Sequence, residues 1–314
     1  MIIIDTHCDT LTELAVKAGR MPAHEPPPGE TASEPNPVVT FEHMKEGGVT
    51  LQVCTLFAGP KGPAGEPYKL AMAQLESVAD LTAQGLVFYR DFLDAREDAP
   101  GIILSVEGAE IFEGSIERLC EFHEKGARMC AVTWNNENEL GYPHTKDGGR
   151  PLKPFGRECL REMNRLGMAV DVSHLGEGGF WDIISNADKP PMASHSCCRA
   201  LRSHTRNLTD DQIRALILRD GWIGINFFPV FLSDKPVEEV TLDDVVWHID
   251  HIINLGGAQN VGFGSDFDGI SCTPAGLEHP GKMGNLIAAL SARYDEHTVR
   301  GIAGENFLKY ARRL

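Results

Sequence analysis

Residues 1–10 read MIIIDTHCDT. The three consecutive isoleucines, Ile2 to Ile4, form a continuous apolar run that suits a strand buried on both faces, and the run stops at His7 and Asp9. Residues two apart point to the same side of a strand. This His-x-Asp pair can therefore offer an imidazole nitrogen and a carboxylate oxygen to one cation at the strand's carboxyl end. A three-residue pattern carries little weight alone, since a strand end that merely meets solvent looks the same. The weight comes from recurrence, because an apolar strand followed by a ligand-type residue returns four more times along the chain.

Taken in order, apolar strands are expected at 49–57, 102–106, 129–134, 168–173, 190–194, 222–228 and 260–265. The strand at 102–106 runs into Glu107, the one at 168–173 into His174, the one at 190–194 into His195 and the last into Asp266. Helices are expected at 10–18, 68–84, 115–125, 155–166, 178–187, 209–219 and 241–255, with a helical turn at 41–46. Eight strands, most separated from the next by a helix, predict an α/β protein of the (β/α)8 TIM barrel type, with residues 1–314 as one domain. A doubly wound open sheet is the runner-up, but no GxGxxG opens a helix after a strand. In a barrel all strand ends meet on one face, which would gather His7, Asp9, Glu107, His174, His195 and Asp266. Two segments stand out as candidate lids: 20–39, with six prolines and few apolar residues, and the long polar loop 135–154.

A net charge of −16 and a pI near 5.2 repel phosphate backbones and anionic membranes, so neither nucleic acid nor a membrane is an expected partner. The eight cysteines, at 8, 54, 120, 130, 159, 197, 198 and 272, show no CxxC pair and no framework spacing. They fit a reducing compartment. The start lacks the features of a secretory signal and no window reaches about 18 apolar residues, so a cytoplasmic protein is expected.

Three histidines, two aspartates and a glutamate exceed what one zinc with an open position needs, about three protein ligands. Two cations suit the count better, with His7 and Asp9 on the first, His174 and His195 on the second and Glu107 between them. Two ions at roughly 3.5 to 4 Å can share a water, bring its pKa toward neutrality and polarise a carbonyl. Asp266 is then the spare carboxylate, free to take a proton and return it to a leaving nitrogen. Among the other histidines, His248 and His251 are expected on a helix outside the barrel, His43, His123 and His297 on helix surfaces, and His204 near the pocket. Asp268 is expected to shape the turn after Asp266.

The segments IDTHCDT, SVEGAE, DVSHLG, ASHSCCRALRSHTRNLTDD and VGFGSDFDG together resemble the renal (membrane) dipeptidase family of zinc dipeptidases. The resemblance implies a (β/α)8 barrel with two Zn2+ ions that hydrolyses dipeptides and tolerates a D-residue at the carboxyl end. Position by position it makes His7, Asp9 and Glu107 ligands of one zinc, and Glu107, His174 and His195 ligands of the other. It makes Asp266 the catalytic aspartate and Arg206 the arginine that grips the substrate's free carboxylate. A guanidinium fork suits that bidentate task. The family is often dimeric, which admits a homodimer here.

One departure concerns the substrate. Where animal members carry a histidine near the scissile carbonyl, this chain has Thr133-Trp134-Asn135, so Trp134 and Asn135 become the candidate substrate contacts, with His144 nearby in sequence. An indole can donate through its N–H but cannot take a proton. The leading expectation is thus a zinc dipeptidase. The alternatives are a metal-dependent hydrolase of another amide, lactam or lactone, which Trp134 motivates, and a non-catalytic binding protein on the same fold, which nothing in the sequence supports.

Overall fold

The computed structural model describes residues 1–23, 35–59, 66–146 and 148–314. Nine parallel strands form the sheet: β1 (Ile4–Cys8), β2 (Leu51–Phe57), β3 (Val87–Phe88), β4 (Gly101–Glu107), β5 (Ala127–Ala131), β6 (Ala169–Asp171), β7 (Met192–Ala193), β8 (Trp222–Ile225) and β9 (Val261–Phe263). Eight of them close a ring, in which β1 pairs with both β2 and β9, β2 with β4, and β4 through β9 each with the next. This is the closed (β/α)8 barrel, with helices between the strands.

The short β3 is additional to the ring and was not expected from the sequence. It pairs with Gly101 and Ile102 at the start of β4, below the stretch from Leu104 where β5 takes over the same edge. The segment of β3 crowds Gly101 there: a Cβ on it would lie 2.4 Å from the Val87 carbonyl oxygen and 2.5 Å from the Tyr89 ring. Only glycine fits. The helix expected over 68–84 is two, Glu66–Glu76 and Val78–Ala83, divided at Ser77.

Alternation along β4 shows how the barrel sorts its side chains. Ile102, Leu104 and Val106 join the core between sheet and helices, whereas Ile103 belongs to an inner cluster, so Ser105 and Glu107 follow Ile103 onto the inner face. The inner cluster takes Ile4, Val53, Ile103, Met129, Ala169, Met192 and Trp222 from successive strands and is plugged by Phe307 and Tyr310 of the terminal helix Asn306–Ala311. Packing therefore seals the amino-terminal end of the barrel and leaves chemistry to the other. Trp222 is fully buried with its ring 5.3 Å from that of Phe307. Trp222→Ala should lower stability by about 3–5 kcal/mol in a denaturant titration, as expected for a large aromatic lost from a sealed core.

In β1 the alternation is broken on purpose of position. Ile4 lies in the inner cluster and Cys8 in the outer one, although strict alternation would put both on the same face. A register shift between Asp5 and Cys8 accounts for this and turns His7 inward. The strand thus carries His7 within it, not after it. Among the described residues no helix is long and apolar enough to cross a membrane.

Candidate active site

Glu107 ends β4 at the open face, 3% exposed, with its two oxygens pointing to different partners. Oε2 lies 3.4 Å from His7 Nε2, and Oε1 lies 3.0 Å from His174 Nε2 and 3.4 Å from His195 Nε2. His7 Nε2 also stands 3.5 Å from Asp9 Oδ2 and 3.7 Å from Asp266 Oδ1, and its ring stacks on His195 at 3.7 Å. The six strand-end residues meet in one pocket. Their separation in sequence is bridged by the closed ring, since β1, β4, β6, β7 and β9 each deliver a side chain at their carboxyl ends.

Local backbone is bent to achieve this. His174, Asp266 and Asp268 adopt φ of 63°, 68° and 65°, left-handed values that non-glycine residues rarely take. Asp268 holds the bend after Asp266 in place, accepting from the Thr10 hydroxyl at 2.5 Å and the Val38 N–H at 2.9 Å. Gly269 lies directly beneath the carboxylates, where a Cβ would approach Asp9 Oδ2 to 2.2 Å and Asp266 Oδ1 to 2.5 Å.

The electrostatics suit a cation. Burial opposes the His7 imidazolium, but the carboxylates of Glu107 and Asp9 outweigh it and raise its pKa well above the ordinary value. Burial also works against ionised Glu107, yet the charge on His7 and the three imidazoles packed against the carboxylate hold it well below the usual range. Burial, with Arg206 adding repulsion, pushes His174 down to about 3, and burial with His7 and Arg206 keeps His195 well below 6.5. Burial raises Asp266 to about 7, His7 opposing and the negative charges of Asp9 and Glu107 adding to it. Both ring nitrogens of His7 are buried without a hydrogen-bond partner. Three sets of donors each lie within 4.8 Å of one another: His7, Asp9 and Glu107; Glu107, His174 and His195; and His7, His195 and Asp266. Orphaned imidazole nitrogens converging with carboxylate oxygens are a donor set that fits two divalent cations sharing Glu107.

Arg206 is buried beside this cluster. Its Nη1 donates to Ser196 Oγ and its Nη2 to the His195 carbonyl, both at 2.9 Å, while Nε has no partner. Burial lowers its pKa, with Asp266 and Glu107 acting in the other direction. A cavity of about 90 Å³ adjoins it, bordered by His144, His174, Arg199 and Thr205.

Trp134 sits half-buried at the rim, edge-on to Phe57 at 4.9 Å and 6.3 Å from the His174 ring. It lies beyond its strand: β5 ends at Ala131, short of the expected 134, and the Val132 carbonyl, still accepting from the Ala109 N–H at 3.3 Å, also takes Asn138 Nδ2 at 2.8 Å. Asn135 faces the histidines. Its Oδ1 contacts His174 Nδ1 at 2.9 Å and His144 Nε2 at 3.0 Å, and His144 Nδ1 reaches Thr205 Oγ1 at 2.8 Å.

His204 borders this region with its ring 4.8 Å from Phe231. His248 lies on the helix Leu242–Asn254 outside the barrel, as expected, with its side chain turned inward: it is 1% exposed, accepting from the Cys198 N–H at 2.9 Å and contacting the Leu232 carbonyl at 2.9 Å. Residues 24–34 of the candidate lid 20–39 lie outside the described residues.

One candidate site residue escaped the sequence reading. Asn226, fully buried after β8, accepts from the Phe228 N–H through Oδ1 at 2.6 Å, so its Nδ2 is the group that donates to Asp266 Oδ2 at 2.8 Å. The signal was present as a lone amide inside the apolar run WIGINFF. A buried amide needs partners on both sides.

The family model for membrane dipeptidase (peptidase family M19) matches residues 1–314. The chain belongs to the membrane dipeptidase family. As a member it is a metallopeptidase, which agrees with the His/Asp/Glu clusters above. An uncharacterized dipeptidase of Schizosaccharomyces pombe is 32% identical over 290 residues, covering 85% of this chain and 70% of that protein. Among solved structures, the dipeptidase AC, a family M19 metallopeptidase, superposes with a TM-score of 0.88 at 28% identity, covering 100% of this chain and 98% of the other. A metallopeptidase from Rhodobacter sphaeroides, liganded with a phosphinate mimic of the dipeptide L-Ala-D-Ala, gives a TM-score of 0.87 at 27% identity, covering 100% and 99%.

Proposed function

We propose that this membrane dipeptidase family member is a binuclear zinc dipeptidase acting on dipeptides with a free terminal carboxylate, L,D-dipeptides included. The observation that carries the reading is the placing of Glu107, with one oxygen toward His7 and the other toward His174 and His195. His7, Asp9 and Glu107 would hold one ion, and Glu107, His174 and His195 the other. When bound, the two ions supply Lewis acidity toward the peptide carbonyl and lower the pKa of the attacking water.

The remaining steps belong to the chain's own side chains. Arg206, fixed by Ser196 and the His195 carbonyl with Nε unpartnered, grips the substrate's carboxylate and sets the register of the scissile bond. Asp266 accepts a proton and returns it to the departing amine. Asn226 occupies Oδ2, which leaves Oδ1 as the oxygen that handles the proton. Trp134 forms a wall of the substrate site, while Asn135 holds His174 in orientation. The mimic bound to the Rhodobacter sphaeroides relative supports the L,D assignment. The free thiols of Cys8 and Cys54, the first donating to the second at 3.5 Å, suit a reducing, cytoplasmic setting.

The test is release of amino acids from a panel of L,L- and L,D-dipeptides by zinc-loaded protein, beside N-acylated amino acids and C-terminally amidated dipeptides. Free dipeptides should be the preferred class. Preference for the N-acylated compounds would favour an amide hydrolase of different specificity, the reading that Trp134 motivates. Arg206→Lys should raise KM for free dipeptides by about 10- to 100-fold, the worth of a charge-assisted hydrogen bond, and should leave the amidated substrates unchanged.

A further inference from the structure

Ser194 sits between Asp171 and His195, all three buried, and the proton on its hydroxyl has one place to go. The Oγ lies in a short contact with Asp171 Oδ2, 2.7 Å from His195 Nδ1 and 3.4 Å from Ser173 Oγ. Asp171 Oδ1 already accepts the N–H groups of Ser173 and Ser194, both at 2.9 Å. A carboxylate only accepts, so Ser194 must donate to it. The same oxygen then accepts from His195, whose proton is placed on Nδ1. That leaves Nε2 as a bare lone pair, directed at Glu107 Oε1 and the Nε2 of His174, 3.0 Å away.

We infer that Asp171 is a positioning residue that, acting through the Ser194 hydroxyl, sets the tautomer of His195 so that Nε2 is ready to bind a cation. The consequence for metal binding rests on the function proposed above, whereas the tautomer itself does not. Elsewhere in the barrel a similar clamp lacks this reach. Asp5 takes the N–H and hydroxyl of Ser265, but that hydroxyl otherwise meets backbone groups, the His7 carbonyl at 3.3 Å and the Phe267 N–H at 3.2 Å, and not an imidazole nitrogen. Partners that orient a liganding histidine raise affinity typically by about 10- to 100-fold.

Two variants separate orientation from tautomer. Ser194→Ala removes the anchor and leaves the ring free to take either tautomer. Asp171→Asn does more, because its amide would donate to Ser194, Ser194 would donate to Nδ1, and the proton would move to Nε2, facing the cation. Chelator competition with Zn2+ should show about 10-fold weaker binding in Ser194→Ala and about 100-fold in Asp171→Asn, with Ser194→Thr restoring affinity to within about threefold of the parent. The ring 15N shifts of His195 in the full metal-free chain should report an Nδ1–H tautomer in the parent and Nε2–H in Asp171→Asn. An Nε2–H tautomer in the parent overturns the inference. So does Asp171→Asn binding zinc no more weakly than Ser194→Ala, or threonine as weak as alanine. A parent that binds no zinc while showing the Nδ1–H tautomer removes the proposed function instead. Should Asp171→Asn fail to fold, the alanine and threonine pair and the parent spectrum still decide.

Discussion

Glu107→Gln should strip the protein of zinc and reduce dipeptide hydrolysis by at least about 10³-fold, the several kcal/mol that a Lewis acid supplies, while the barrel stays folded. The substitution changes almost no volume. It removes the negative charge that faces three imidazole Nε2 atoms at 3.0 to 3.4 Å and puts N–H donors on one side of the group. Those hydrogens would bond the imidazole lone pairs, the groups a cation needs. With no metal present the change takes away a carboxylate that pairs with the charged His7 ring, which can then shed its proton, so no unpaired charge is left buried and the barrel stays folded. Thermal unfolding separates the two effects. Zinc at about 1,000 times its dissociation constant should stabilise the parent by about 4 kcal/mol, and should leave Glu107→Gln within about 1 kcal/mol of its metal-free value. Equal zinc content in parent and variant would show that Glu107 is not the shared ligand.

The site was legible in the sequence because a barrel needs little else than strand order to bring strand ends together. The fold follows from eight apolar strands, and once the ring closes, Glu107, His174 and His195 need no further information to meet. What could not be read were features decided by register and by partners distant in sequence. The inward turn of His7 depends on a register shift in β1, where the simple rule that residues two apart share a face assumes an unbroken strand. β3 is two residues long and exists because Gly101 lets it approach. Its pattern is too short to see. The place of Asn135 after Trp134 marked it as a candidate substrate contact, but did not reveal the bonds its Oδ1 makes to His174 and His144, which lie 39 and 9 residues away. The role of a small polar side chain such as Asn226 or Ser194 lies in which hydrogen bond is forced on it, and that is set by strands 40 and 23 residues away in the chain.

Asp266→Asn should lower kcat by about 10²- to 10⁴-fold, the usual worth of a general acid/base, with KM for the dipeptide and zinc content little changed. The asparagine is isosteric, and Asn226 Nδ2 dictates its orientation by requiring an acceptor at the Oδ2 position. The new amide nitrogen is therefore turned toward His7, at the place of the oxygen that stands 3.7 Å from His7 Nε2 in the parent. That group can donate a hydrogen bond but can neither take up nor release a proton at neutral pH. In the metal-free chain burial and the charges of Asp9 and Glu107 raise Asp266 to about 7, and cations beside it would bring that value down. Because the base must be ionised to act, activity of the parent should fall as pH drops through a value at or below about 7, and this limb should be absent from the variant. Zinc content distinguishes the proton carrier from a ligand. Asp266 Oδ1 stands close enough to His7 and His195 to join a cation site, so a variant that loses metal along with activity would make Asp266 a ligand and leave the proton to another group. Retained zinc with a flattened pH profile is the combination that only proton transfer by Asp266 produces.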